Sequence, residues 1–259
     1  MNSDRPWPLF RLCSTGLLVR GSCWLLLLLG VLFAWLAPLI TPWEEKPVIL
    51  QPARAQAAWI FAWLALFTWL PFQAAALGSR FRKEGLLEHF EAGGRSRIGL
   101  CLQLHAGLLV WLLGLALLAA IVCVAFCLPS KSADATQWVW LVLQYIALYL
   151  LAGIPLMLLA VALGTRTSEV IAFLVPVSLL FVGLFGGVWL APLVAGSDSS
   201  LWKSLWLLLP HYHLADLTPR LVFKMGPLPT ADFLRTATVL TLEGVALSLI
   251  GLCTFRTRS

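Results

Sequence analysis

Charged residues are scarce in this chain. Only 12% of its 259 residues are Asp, Glu, Lys or Arg, whereas 60% are hydrophobic. Soluble domains carry about 25% charged residues, so the composition excludes an ordinary water-soluble domain. The net charge of +6 does not indicate a nucleic-acid partner, because the basic residues are scattered in short loops and form no stripe with interleaved aromatic residues. The lipid bilayer is therefore the expected solvent.

Signatures of catalysis and of cofactor binding are also missing. No Gly-x-x-x-x-Gly-Lys-Ser/Thr phosphate loop occurs, so we expect the chain neither to hydrolyse ATP nor to bind a cofactor or metal of its own. No His-Glu-x-x-His, paired-carboxylate or Ser-His-Asp motif lies within the apolar segments, which argues against an intramembrane enzyme. The cysteines lie in or beside apolar segments and form no convincing disulfide pair. They are Cys13, Cys23, Cys101, Cys123, Cys127 and Cys253.

Long apolar runs account for nearly all of the length. A bilayer span needs about 20 residues, and six such runs predict one all-α transmembrane domain over residues 1–259. The spans are predicted at 22–40, 57–78, 98–128, 137–163, 170–195 and 231–255. A mixed basic and apolar segment at 7–20 predicts an interfacial amphipathic helix before them. The prolines of the stretch 41–56 predict an extended connector. Before the last span, 201–209 is apolar but too short to cross, which predicts a re-entrant or interfacial helix pair ended by Pro210 and resumed at 213–223.

The distribution of Lys and Arg predicts the orientation. Cytoplasmic loops carry an excess of these residues. One side collects eleven of them, and the other has six in longer connectors, so the first side and both termini are expected in the cytoplasm. The eleven are Arg5, Arg11, Arg20, Arg80, Arg82, Lys83, Arg95, Arg97, Arg166, Arg256 and Arg258.

The most charged loop, 81–97, shows helical periodicity. Its apolar and acidic positions recur at three- and four-residue spacing, which indicates a short amphipathic helix. The apolar face holds Leu86, Leu87 and Phe90, and the acidic face holds Glu84, Glu88 and Glu91. Gly93 and Gly94 would end the helix. Two interpretations stay open on these residues alone: a solvated loop between spans, or a helix parallel to the membrane whose acidic groups meet a basic partner.

This loop resembles the first coupling helix of type-2 ABC exporter permeases. The shared pattern is an acidic-Gly-Leu-Leu stretch, Glu84 to Leu87, followed by a turn and Arg95-x-Arg97. The resemblance extends over nearly the whole chain through the amphipathic helix, the six spans, the re-entrant pair and a Leu-Pro-x-x-x-Leu-x-Asp-like stretch ending at Asp216. The individual motifs are degenerate, and the match rests on their order and spacing.

The resemblance implies a transporter assembly. A separate ATP-binding subunit, carrying ATP and Mg, would dock on the coupling helix, with Glu84, Gly85, Leu87 and Glu88 as the contact candidates. Six spans are half of the customary twelve-helix pathway, so a second membrane subunit, identical or different, is expected. The compact loops favour a bacterial inner membrane. The cargo is not readable, although few polar groups in the spans favour a hydrophobic one.

Several ionisable residues in or near the spans are further candidates. Glu243 lies near the middle of the last span, where either a functional role or a hydrogen bond to a neighbouring helix would explain it. His105 in the third span is expected to face a partner. His211 and His213 would share a face in an extended segment, as metal ligands can, but a structural role is favoured. Cys123 and Cys127 share a helical face, and packed thiols are favoured over soft-metal capture.

The strongest competing hypotheses are a secondary transporter and a membrane anchor for another assembly. A secondary transporter should carry several ionisable groups at the midplane and internal inverted repeats. The sequence offers one good midplane group, Glu243. This scarcity favours an ATP-driven machine.

Overall fold

The computed structural model describes residues 7–19, 21–40, 47–196 and 200–257, and every regular element in these ranges is helical. The apolar composition explains this, because a helix satisfies its own backbone groups where water is absent. The elements are α1 (Pro8–Val19), α2 (Ser22–Ile40), α3 (Pro47–Phe67), α4 (Trp69–Lys83), α5 (Leu86–Ala92), α6 (Arg97–Phe126), α7 (Ser132–Gly164), α8 (Glu169–Gly196), α9 (Ser200–Leu208), a 3-10 turn (Tyr212–Ala215), α10 (Thr218–Val222) and α11 (Thr230–Thr254).

Five helical stretches in the described residues are long and apolar enough to cross a membrane. They are Pro52–Lys83, Arg97–Phe126, Ser132–Gly164, Glu169–Trp189 and Thr230–Thr254. A sixth candidate is the pair α1 and α2, if it counts as one span bent by 59°. The structure thus confirms an all-helical protein with five or six candidate spans. The bend separates the predicted amphipathic segment from the predicted first span at Gly21, whose φ is +69°.

The second predicted span is longer than expected, and the prediction of an extended connector up to residue 56 is wrong over 47–56. This part is helical from Pro47 onward, and the helix continues to Phe67 with Pro52 inside it. Proline is tolerated in the first turn of a helix, and the alanines that follow Pro52 are strong helix formers. The remainder of that connector, 41–46, lies outside the described residues.

Helix α7 occupies the centre of the bundle and packs against α4, α6, α8 and α11. The crossing with α4 is close because both helices carry glycine there. A Cβ atom added at Gly78 would lie 2.3 Å from the Val161 carbonyl oxygen, and one added at Gly164 would lie 2.4 Å from the Ala75 carbonyl oxygen. Small residues at such crossings let two backbones approach each other closely. In lipid, where no hydrophobic effect draws helices together, this close packing is a main source of their association.

The segment 200–223 before the last span, called the hairpin below, contains two short helices and a 3-10 turn. Helix α9 covers most of 201–209 and ends before Pro210, and the chain resumes with the 3-10 turn and α10 within 213–223. Among the described side chains of this part, the buried ones all follow α9: Pro210, Tyr212, Ala215, Leu217, Thr218 and Leu221. This second half of the hairpin is therefore packed into the bundle, while its depth in the bilayer stays a prediction.

Candidate functional site

Helix α5 is a seven-residue helix that follows α4 after a sharp turn. Gly85 makes the turn with φ +67°, a left-handed conformation that glycine adopts without strain. Leu87 is fully buried and Phe90 is 8% exposed, while Glu84 and Glu88 are exposed. The predicted amphipathic helix is thus present, and its apolar face packs on the bundle. Among the four predicted contact residues, Leu87 points into the protein and the two glutamates face outward.

The end of α5 is fixed by a glycine turn and by the start of α6. Gly94 has φ +83°, and the Arg95 amide donates a hydrogen bond to the Phe90 carbonyl at 3.1 Å. This bond closes the helix at Gly93 and Gly94 as predicted. Ser96 then caps α6, since its hydroxyl accepts a hydrogen bond from the Gly99 amide at 3.1 Å.

The chain beyond α11 also contacts this end of the bundle. The Thr257 hydroxyl donates a hydrogen bond to the Glu91 carboxylate on α5. Arg97, at the start of α6, donates to the Cys253 carbonyl at 3.3 Å. Phe255 is fully buried between these two contacts along the chain. Helix α5 is therefore connected to α4 through Gly85, to α6 through Ser96 and to the end of α11 through Thr257.

The neighbouring turn between α7 and α8 is joined to α4 by polar contacts. The buried Thr165 accepts a hydrogen bond from Arg82 at its carbonyl, 2.9 Å, and one from the Arg256 amide at its hydroxyl, 2.9 Å. Lys83 pairs with Glu169 at 3.0 Å on the surface. An exposed ion pair contributes little to stability, whereas the buried Thr165 contacts fix how α4, α7 and the last residues of the chain meet.

Glu243, predicted as an intramembrane polar site, is bonded to the hairpin. Its Oε1 lies 2.7 Å from the His211 Nδ1 atom, and the His211 backbone amide donates to both carboxylate oxygens at 3.1 and 3.2 Å. The two side chains are only 20% and 18% exposed. Glu243 is thus hydrogen-bonded, with the ring and backbone amide of His211 as partners instead of a neighbouring helix, and a functional role for it stays a prediction.

His105 does not join Glu243. Its side chain is buried in α6, and its Nδ1 atom has no hydrogen-bond partner in the part of the chain that the structure describes. The predicted pair of intramembrane polar residues therefore forms no common site. The nearby contacts between α6 and α1 involve Gln103, whose Oε1 accepts from the Leu9 amide at 3.2 Å.

A polar network that the sequence did not predict joins α3, α7 and the hairpin. The fully buried Tyr145 donates its phenolic hydrogen to Asp216 Oδ1 at 2.5 Å, receives a hydrogen bond from the Trp63 indole at 2.8 Å and contacts the Thr218 hydroxyl at 2.7 Å. The Trp59 ring stacks on Tyr145 with the centroids 3.7 Å apart. The polar pair Gln144 and Tyr145 inside an apolar run was the available signal.

The two histidines contact other groups of the protein, and Cys123 and Cys127 are buried. His211 is engaged by Glu243, and the His213 Nδ1 lies 3.4 Å from the Gly183 carbonyl, which accepts its hydrogen. Burial lowers the pKa of His213 below its ordinary value. Cys123 and Cys127 are buried free thiols. Within the described ranges, no group of three His, Cys, Asp or Glu side chains could hold a metal ion.

A family model described as ABC-2 family transporter protein matches residues 102–253, which is more than half of the chain. The chain belongs to the ABC-2 transporter family. The resemblance seen in the sequence is thereby confirmed, and the chain is a multi-pass membrane permease of this family, a type of subunit that is typically not itself catalytic. No curated protein and no solved structure matches it.

The family match divides the features of this ABC-2 permease into two groups. It includes His105, Tyr145, Asp216 and Glu243 but begins after α5, which lies upstream of residue 102. The geometry of α5 and the sequence resemblance, not the family match, are what support a role for α5.

Proposed function

We propose that this permease is the membrane subunit of an ATP-driven exporter and that a separate ATPase chain docks on α5. The observation that carries the proposal is the geometry of α5: a short helix with a buried apolar face, an exposed acidic face and direct connections to three long helices. A surface helix joined to three spans in this way would convert the displacement of a bound partner into helix movement.

The contact residues have different roles in this proposal. Glu84 and Glu88 are exposed, and Glu84 forms a surface ion pair with Arg80 at 2.7 Å. Because an exposed pair contributes little, both glutamates are proposed to contact a basic cleft of the ATPase. Gly85 is partly exposed, and its left-handed backbone sets the angle between α4 and α5. Leu87 is fully buried and anchors α5 on the bundle, so its contribution to docking is indirect.

The connections of α5 supply a route from the ATPase to the spans. A shift of α5 acts on α4 through the turn at Gly85, on α6 through the Ser96 cap, and on α11 through the bond between Glu91 and Thr257. Since packed helices are stiff, a small displacement at this end is transmitted along each helix instead of being absorbed locally.

The remaining parts of the assembly follow from the same proposal. The side with α5 faces the cytoplasm of a bacterial inner membrane, as the excess of Lys and Arg on this side indicates, and both termini lie there. ATP and Mg bind on the partner ATPase. A second membrane subunit completes the pathway, and the mostly exposed apolar surfaces of α8 and α11 are available to lipid and to that subunit.

The test is affinity purification of the full chain from its native membrane in mild detergent, with identification of the copurified proteins by mass spectrometry. We expect an ATPase with a phosphate loop to copurify with the wild type. The double charge reversal Glu84→Lys and Glu88→Lys should lose it, because the two substitutions reverse the acidic charge just before α5 and on its exposed face.

A matched control reverses two exposed acidic residues elsewhere, Asp134→Lys at the start of α7 and Asp232→Lys at the start of α11. This control should retain the ATPase. If the wild type yields no ATPase, or if the α5 variant retains it, docking on α5 is refuted. Absence of the ATPase from a correctly folded wild type would instead favour a secondary transporter or a membrane anchor.

A further inference from the structure

A lateral cavity of about 600 Å³ opens between α3, α8 and the hairpin. Its volume lies within the range of small-molecule binding sites. Its walls are apolar, and four polar residues line it as well: Gln56, His213, Asp216 and Thr218. The apolar walls include Ile60, Leu64, Phe67, Leu184, Phe185 and Val222. The cavity therefore suits a ligand with a large apolar body and one polar group.

The cavity lies toward the end of the bundle opposite α5. Phe67, its lining residue nearest to α4 along the chain, precedes Lys83 by 16 residues. At 1.5 Å per helical residue this is a separation of about 24 Å. The cavity is thus distinct from the ATPase-docking surface, and the two can be altered separately.

Asp216 is held in position by the polar network. Its Oδ1 accepts the phenolic hydrogen of Tyr145 at 2.5 Å and the Thr218 amide hydrogen at 3.0 Å. Because Tyr145 gives its only hydrogen to Asp216, the Trp63 indole and the Thr218 hydroxyl both act as donors to Tyr145. The bonds that described residues donate to Asp216 all reach Oδ1. The second carboxylate oxygen thus remains for a ligand in the cavity.

The other ionisable group of the cavity also presents an acceptor. His213 uses its Nδ1 hydrogen on the Gly183 carbonyl, and its lowered pKa keeps the ring neutral, so Nε2 carries a lone pair. No Lys or Arg is among the lining residues, which all belong to the described part of the chain. An anion placed there would meet a carboxylate with no compensating cation.

We infer that this cavity binds an amphipathic cation, with its positive group at Asp216 and its apolar body against α3 and α8. This inference rests on the proposed transport function, for which it names the class of cargo. The charge distinguishes this cavity from a general lipid pocket, because Asp216 is its one acidic lining residue, no Lys or Arg lines it, and the donors found among the described residues reach Oδ1 only.

Two probes of the same shape and opposite charge test it: tetraphenylphosphonium and tetraphenylborate. Binding of each is measured by equilibrium dialysis on the full-length protein in a nonionic detergent. We expect the wild type to bind the phosphonium at least about tenfold more tightly than the borate, since each 1.4 kcal/mol of charge preference is a factor of ten. Equal binding of the two probes, or no phosphonium binding, would overturn the inference.

Two variants locate the site. Asp216→Asn keeps an oxygen acceptor for Tyr145 and Thr218 but removes the charge, and we expect phosphonium affinity to fall about tenfold or more. Leu184→Trp fills the cavity without touching Asp216 and should have a similar effect. Asp232→Asn, an exposed residue outside the cavity, should bind as the wild type does. Wild-type affinity in a folded Asp216→Asn or Leu184→Trp protein would refute the assignment.

The same preparations separate the two proposals. ATPase copurification is recorded for every variant together with probe binding. A protein that copurifies with its ATPase but shows no charge-selective binding refutes the cargo class alone. Charge-selective binding without a copurified ATPase supports the cavity as a cation site and refutes the docking proposal.

Discussion

Replacing Tyr145 by Phe tests whether the buried polar network holds the hairpin to the bundle. The substitution keeps the ring that stacks on Trp59 but removes one hydroxyl with three polar contacts. The Trp63 indole then loses its acceptor while remaining 7% exposed. A buried donor left without a partner costs about 1–3 kcal/mol, and a lost hydrogen bond to a carboxylate about 1.5–3 kcal/mol. We expect a total loss of about 3 kcal/mol.

Tyr149→Phe is the matched control, since Tyr149 lies one turn further along α7 and is also fully buried. Its hydroxyl donates one hydrogen bond, to the Ala62 carbonyl at 2.9 Å, and that carbonyl lies inside α3, where a helix amide is its ordinary donor. Removing one such bond costs about 0.5–1.5 kcal/mol. Unfolding of both variants in mixed micelles gives the two free energies. Equal losses, or a larger loss for Tyr149→Phe, would refute the network as an anchor.

Three further predictions use the same unfolding measurement. Gly164→Ala should destabilise by about 1–3 kcal/mol because its Cβ would meet the Ala75 carbonyl, whereas Gly114→Ala, which meets no atom within 4 Å, should be neutral or stabilising; equal effects would contradict the close crossing. Glu243→Gln should cost about 1–2 kcal/mol in the wild type and clearly less in a His211→Ala background, and additive losses would show that the pair is not coupled. Because burial lowers the pKa of His213, the folded protein binds fewer protons than the unfolded one below about pH 6.5, so its stability should fall as the pH drops through this value. His213→Gln should weaken this pH dependence of stability, and an unchanged profile would contradict the prediction.

Hydropathy predicted the helices well for a physical reason. A long apolar run in lipid has to satisfy its backbone internally, which leaves the helix as its solution, and the observed stretches from Arg97 to Phe126 and from Thr230 to Thr254 lie within two residues of the predictions. The prolines of 47–56 predicted an extended connector, but Pro47 begins a helix and Pro52 lies inside it. The periodicity of 81–97 predicted α5 and its buried face correctly.

The partners of the polar residues could not be predicted in the same way. A single sequence shows that Glu243 is costly to bury but not that His211, 32 positions earlier, supplies the donors. Tyr145 and Asp216 are 71 positions apart, and their contact depends on how α7 packs against the hairpin. Periodicity describes one helix at a time, so it carries no information about which helices meet.

Glu243 on α11 and Asp216 in the hairpin differ in how many of their oxygens accept hydrogen bonds from the described residues. Both oxygens of Glu243 accept hydrogen bonds from His211, so this carboxylate has donors within the protein. The donors found for Asp216 reach a single oxygen, and the group lies at the wall of a cavity. The lining residues of the cavity include no Lys or Arg, so a cationic ligand would supply the positive charge that Asp216 lacks there.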